Sequence, residues 1–112
     1  KMKPAEAEIL KYFNNVYASL RIIFANNFYE ISKKFNANYS LIKDTYIKTG
    51  KATDMYLDVD DNLRGYAGMC LPKDTKAIAK LIKDLGLNLK LIEAIETDNQ
   101  KFKPTVFEGM RK

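Results

Sequence analysis

The sequence predicts an all-α domain: one long central helix plus three shorter helices. Three observations carry that prediction. Apolar residues recur every three or four positions from Ile9 to Phe35, with no Gly or Pro in the run. Later stretches carry recognisable helix start and stop residues. No stretch of four or more residues alternates apolar and polar as a half-buried strand would, and the chain holds no internal repeat.

The first helix is expected from Pro4 to about Phe35. Pro4 suits a first turn, where its missing N–H has no partner to lose. Ile9, Phe13, Val16, Leu20, Phe24, Phe28, Ile31 and Phe35 form one apolar series, and Leu10, Tyr12, Tyr17, Ile22, Ile23 and Tyr29 form a second. A helix of roughly 30 residues reaches about 45 Å, longer than a domain of this size is wide. With two apolar faces it is expected to contact more than its own domain, through self-association.

"NANYS", Asn36 to Ser40, breaks this helix, its asparagines suited to a C′ position and then an N-cap. A second helix is expected from about Leu41 to Lys48, stopping at Gly50. The segment from Lys51 to Met69 has no periodicity and reads as an ordered functional loop. "LPKDTKAIAKLIKDLG" reads as the third helix, with Pro72 at its start, Ile78, Leu81, Ile82 and Leu85 on one face, and Gly86 as its stop. "NLKLIEAIETDNQ" reads as the fourth, capped by Asn88, with Leu91, Ile92 and Ile95 facing inward. Pro104 is expected to end regular structure.

Composition limits the chemistry. At 112 residues the chain has room for one core. It has no histidine, which excludes Ser-His and Cys-His pairs and His-containing metal sites within it. No apolar run approaches membrane-spanning length and no secretory signal opens the chain, so neither a membrane nor export is expected. Its single cysteine cannot form an internal disulfide, which makes a reducing, cytoplasmic setting the default. The net charge of +5 is spread at helix-surface spacing (Lys73, Lys76, Lys80, Lys83) and interleaved with carboxylates. Such charge favours anionic ligands. A nucleic-acid partner is not expected, and a solvated helix surface explains the pattern as well.

That cysteine, Cys70, falls just ahead of the third helix. Free backbone N–H groups and the positive end of the helix dipole lie near a sulfur so placed, which favours the thiolate. Gly65 and Gly68 let backbone approach a ligand closely, and Asp74 falls about one turn further along. A small buried hydrophobe preceded by an ordinary turn explains the same residues. On the long helix, Lys11 and Asn15 project one turn apart from a single face, with Asn26 near the same stripe. Two donors aimed at one point suit a developing oxyanion; a polar stripe facing water is the competing reading.

Taken together, "AEILKYFNNVYASLRIIFANN" and "GYAGMCLPKDTKAI" resemble the central domain of the UDP-glucose/GDP-mannose dehydrogenases. Members of that family carry a helix of the form AExxKxxxNxxxAxKIxFxNE and then a loop of the form GFGGxCxPKDxxAL. The resemblance runs from about Ala5 to Asn99. It implies two NAD-dependent oxidations of a sugar nucleotide, alcohol to aldehyde to acid. Cys70 matches the nucleophile that passes through a thiohemiacetal and a thioester. Lys11 and Asn15 match the residues that steady the oxyanion and position water, and Asp74 matches the aspartate that helps activate that water. Gly65, Tyr66 and Gly68 fall in the substrate-binding loop, and Lys51 falls near an arginine that reaches into the neighbouring subunit's site. The resemblance implies a homodimer formed through the long helix.

Ala67, Met69, Lys51 and Asn27 depart from the family's usual residues, so the sugar stays open. No G-x-G-x-x-G follows a strand, so the whole chain is expected to be a central domain, with the NAD-binding domain and the C-terminal UDP-binding domain lying outside it. The expected function is that of the central domain of a UDP-sugar 6-dehydrogenase of the UDP-glucose-to-UDP-glucuronate type, serving polysaccharide synthesis. The isolated domain is not expected to turn over. A non-catalytic helical dimerisation module of the same descent is the alternative.

Overall fold

The computed structural model describes residues 1–105. The long helix forms as α1, Pro4–Lys34. At 1.5 Å per residue its 31 residues come to about 46 Å, which matches the 45 Å longest dimension of the molecule. Pro4 occupies the first turn, and the Glu6 carboxylate accepts a hydrogen bond from the Lys3 N–H at 2.8 Å. Asn36 takes the left-handed conformation (φ 54°) that ends the helix. The Asn38 side chain then accepts from the Leu41 N–H, capping α2, Tyr39–Lys48. α2 begins two residues before the expected Leu41 because that cap sits at Asn38.

Of the loop expected from Lys51 to Met69, residues 51–64 lie outside helix and named strand and are tied down at several points, while Gly65–Tyr66 pair as a strand. Arg21 donates to the Thr53 carbonyl, Tyr39 donates to the Leu57 carbonyl at 2.7 Å, and the Lys43 ammonium meets Asp58 at 2.6 Å. α3 spans Cys70–Asp84 and ends with Gly86 at φ 72°. α4 spans Leu91–Asn99. Asn88 does not cap it: the N-cap is Lys90, in a helical conformation with no side-chain cap bond. Two short strands, β1 (Gly65–Tyr66) and β2 (Pro104–Thr105), pair in parallel. The expectation of no strand is corrected here, and Pro104 joins a strand where an end to regularity was expected. Two residues are too few to show alternation, and Pro104 is tolerated because the pair is all edge.

The core lies where α3, α4 and β1 cover one side of α1. Ala18, Ile22 and Ile23 of α1 meet Tyr66, Leu71 and Ile95 there. A second cluster joins Ala25 to Tyr39 and Val59. The inward face of α1 therefore mixes branched residues with small ones (Ala18, Ser19, Ala25), which let neighbouring backbone come close. The apolar series read from Ile9 to Phe35 is not this face. Val16 is buried and Leu20 half-buried, but Ile9, Phe13, Phe24, Phe28, Ile31 and Phe35 are exposed, Phe13 by 67%. Leu81 of α3, Leu85 just past its end and Leu91 of α4, all expected inward, are exposed as well. Among the described residues, no helix is long and apolar enough to cross a membrane.

Candidate active site

The chain reaches α3 through a fixed approach. Gly65 sits with no space on its Cβ side: a methyl group there would lie 2.7 Å from Asn99 Oδ1. That oxygen accepts from the Tyr66 N–H at 2.8 Å while Asn99 Nδ2 donates to the Tyr66 carbonyl at 3.0 Å. The amide of Asn99 thus pairs with Tyr66 as a neighbouring strand would. Gly68, at φ 91°, then turns the backbone into α3.

Arg64 anchors the start of this approach. Its guanidinium lies between the Tyr29 and Phe102 rings, 4.9 and 5.0 Å from their centres, and pairs with Glu30. The hydrogen bond from Arg64 holds the Glu30 carboxyl below its ordinary range. Arg64 Nε donates to Asn26 Oδ1 at 2.7 Å, and Asn26 Nδ2 donates to the carbonyls of Ile22 and Arg64. Asn26 is fully buried in this structural role, so it does not extend the Lys11–Asn15 stripe.

Cys70 is the first residue of α3, one position earlier in the helix than the sequence suggested, and its thiol is free and exposed. The buried-hydrophobe reading of this residue is therefore set aside. Met69 precedes it, exposed, and offers the first turn no side-chain cap. One turn on, Asp74 is only 1% exposed. Asn15 Nδ2 donates to Asp74 Oδ2 at 2.6 Å, which joins α1 to α3. The other oxygen, Asp74 Oδ1, is buried without a hydrogen-bond partner among the described residues.

Of the sequence-predicted residues, Asn15 and Asp74 are in direct contact, and Cys70 shares a helix with Asp74. Lys11 stands one turn from Asn15 on α1, exposed, its ammonium 5.5 Å from the centre of the Tyr12 ring. Lys51 is exposed at the start of the loop, and no contact among the described residues joins its side chain to Cys70, Asn15 or Asp74. The Tyr66 side chain lies in the core, and its backbone N–H and carbonyl both bond to Asn99. Burial raises the Tyr66 phenol above its ordinary range, partly offset by the Thr75 and Ser19 hydroxyls beside it. Asn27, where an acid was the family's usual residue, donates to Asp98 of α4 at 3.3 Å, a contact a carboxylate would turn into repulsion.

Two residues escaped the sequence reading. Ser19 and Thr75 are both fully buried, with their hydroxyl oxygens 2.7 Å apart. The available signal was spacing: Ser19 continues the Lys11–Asn15 stripe by one turn, and Thr75 follows Asp74.

The described residues do not fit the phosphate-binding turn of a dinucleotide site: they hold no G-x-G-x-x-G, and the one glycine in a strand, Gly65, has its free side filled by Asn99. No group of three or more metal-ligating side chains occurs among the described residues.

An exposed thiol at a helix start, one turn from a buried carboxylate that an asparagine of the long helix holds, defines a thiol-bearing helical module. Residues 5–101 match the central domain of the UDP-glucose/GDP-mannose dehydrogenase family. The chain belongs to that family, as its central domain. It is 36% identical over 100 residues to a UDP-glucose 6-dehydrogenase of Campylobacter jejuni, covering 88% of this chain and 24% of that protein. It is 32% identical over 95 residues to the UDP-glucose 6-dehydrogenase TuaD of Bacillus subtilis, covering 85% of this chain and 20% of that protein. A UDP-glucose 6-dehydrogenase of Streptococcus pneumoniae shares 32% over 95 residues. The chain thus spans about a fifth to a quarter of the length of these relatives.

Proposed function

We propose that this chain is the thiol-bearing part of an NAD-dependent UDP-sugar 6-dehydrogenase that oxidises UDP-glucose or a close relative to the uronic acid. The observation that carries the proposal is the 2.6 Å bond from Asn15 to Asp74, one helical turn from the exposed Cys70. It joins two residue types needed for thioester hydrolysis, a carboxylate and an amide donor, beside the thiol needed to form the thioester. NAD, held outside these residues, supplies the acceptor for the two hydrides.

The chemistry of this chain's own groups follows from their types. The Cys70 sulfur adds to the C6 aldehyde carbon, and the carbonyl π pair moves to oxygen. The Lys11 ammonium and the second N–H of the Asn15 amide are the donors for that oxyanion, since an amide nitrogen carries two hydrogens and Asp74 takes only one. Loss of hydride from this adduct leaves a thioester. Water then adds to the thioester carbon and gives up a proton to the buried Asp74 carboxylate of the same helix, and the C–S bond breaks with its electron pair returning to sulfur. Gly65 and Gly68 shape the loop that borders the sugar, and Lys51 serves a neighbouring subunit.

The exposed series on α1 supports a homodimer, since burying Phe13, Phe24, Phe28 and Ile31 against a second copy removes a large apolar stripe from water. The assembly is proposed to be cytoplasmic and to feed polysaccharide synthesis. Cys70→Ser in the full-length protein tests the reading. Acid formation from UDP-glucose and NAD is expected to vanish while the protein stays folded and dimeric. Undiminished acid formation would move the function to the non-catalytic module.

A further inference from the structure

We infer that the buried Ser19–Thr75 hydroxyl pair is a positioning device for Asp74 and Cys70. The inference rests on the proposal that Cys70 and Asp74 carry the chemistry. Ser19 lies on α1 and Thr75 on α3, both 0% exposed, and their oxygens are 2.7 Å apart. Ser19 Oγ also donates back to the Asn15 carbonyl at 3.3 Å. A hydroxyl has one proton, so with Ser19's committed there, Thr75 is the donor between the two.

These bonds close a ring. Asn15 holds the Asp74 carboxylate through its side chain and accepts from Ser19 through its backbone. Ser19 holds Thr75, and Thr75 is the next residue after Asp74. A single cross-helix hydrogen bond leaves α3 free to roll about its own axis. Adjacent residues on a helix project about 100° apart, so bonds at both Asp74 and Thr75 oppose that roll. Cys70, one turn earlier on the same rigid helix, is set by the same two bonds. The apolar contacts of Leu71 and Ile95 hold α3 and α4 against α1 but are non-directional. Directional bonds at both sites add the angular precision that apolar packing lacks. The Tyr66 phenol, buried beside the pair, has no hydrogen-bond partner among the described residues.

The test uses the full-length protein. Thr75→Val removes the hydroxyl at nearly constant volume. It is expected to lower kcat for acid formation by roughly ten- to a hundredfold, the scale of a misplacement near 1 Å, with KM for UDP-glucose within about twofold. Thr75→Ser, which restores the hydroxyl but not the methyl, is expected to recover kcat even though it packs less well. In an Asp74→Asn background, Thr75→Val is expected to add less than its full loss, because part of the effect runs through Asp74 and only the part through Cys70 remains. Ser19→Ala reads the same contact from α1 should Thr75→Val fail to fold.

Wild-type kcat in both Thr75→Val and Ser19→Ala, or a loss that multiplies fully with Asp74→Asn, overturns the inference. So does a failure of Thr75→Ser to recover kcat. Cys70→Ser separates this outcome from the broader one. If Cys70→Ser is inactive while the hydroxyl variants are not, only the positioning role fails. If Cys70→Ser still makes acid, the catalytic reading itself fails.

Discussion

At Gly65 a single hydrogen decides whether the loop fits. The Asn99 amide fills the space a side chain would use and is pinned by two bonds to Tyr66, so it cannot swing away without breaking them. Gly65→Ala is expected to cost roughly 1–3 kcal/mol of stability, as overpacking does; chemical denaturation reads it, and an alanine without cost would mean Asn99 is not held. Asn15→Asp would place two carboxylates in contact at the present 2.6 Å. Acid formation is expected to fall at least tenfold, more than for Asn15→Gln, since like charges at that distance force a proton onto the pair. The Asn15–Asp74 contact was legible because both residues stand at helical spacing in recognisable motifs, and Cys70 stood out as the chain's one cysteine. Ser19 and Thr75 were not, because small hydroxyls usually face water or caps and only the packed helices bury them. Asn26 misled for the converse reason: a polar residue on a stripe says nothing of which backbone groups it must satisfy.

At the scale of elements, helix ends were more legible than helix faces. Asn36, Asn38, Gly50 and Gly86 act where they stand, because left-handed turns and caps are local chemistry. Faces depend on partners, and the larger apolar residues of α1 turn away from the core that Ala18, Ser19 and Ala25 let α3 approach. The β1–β2 pair was invisible because its partners lie some 40 positions apart and are two residues each. One titration probes the α1–α2 packing. Burial pushes the Tyr39 phenol up to about 12 from its ordinary 10.0. The folded protein therefore keeps a proton that the unfolded chain gives up above pH 10. The Tyr39 contribution to stability is complete below about pH 10 and is lost between about 10 and 12. Unfolding measured across that window is expected to show a falling stability whose slope shrinks in Tyr39→Phe; an unchanged slope would mean the phenol is not buried in solution.

For the whole molecule, the exposed stripe on α1 is the feature a lone domain explains least. Phe13→Glu with Phe24→Glu is expected to convert a dimer to monomer by light scattering, while each chain keeps its helical circular dichroism. A dimer that survives both changes would place the interface elsewhere. The family resemblance was legible across nearly the whole length because its residues sit in two compact motifs, and the matched span of 5–101 agrees with it. The sugar was not legible, since Ala67 and Met69 border the loop without fixing what lies beyond it.

Whether the Cys70 sulfur bonds to substrate is read by mass analysis of the full-length protein quenched in acid during turnover of UDP-glucose with NAD. A fraction of the peptide carrying Cys70 is expected to bear the added mass of the UDP-sugar thioester, and that fraction is expected to grow in Asp74→Asn, where hydrolysis is slowed. Steady acid formation with the Cys70 peptide unmodified in both proteins would contradict that bond.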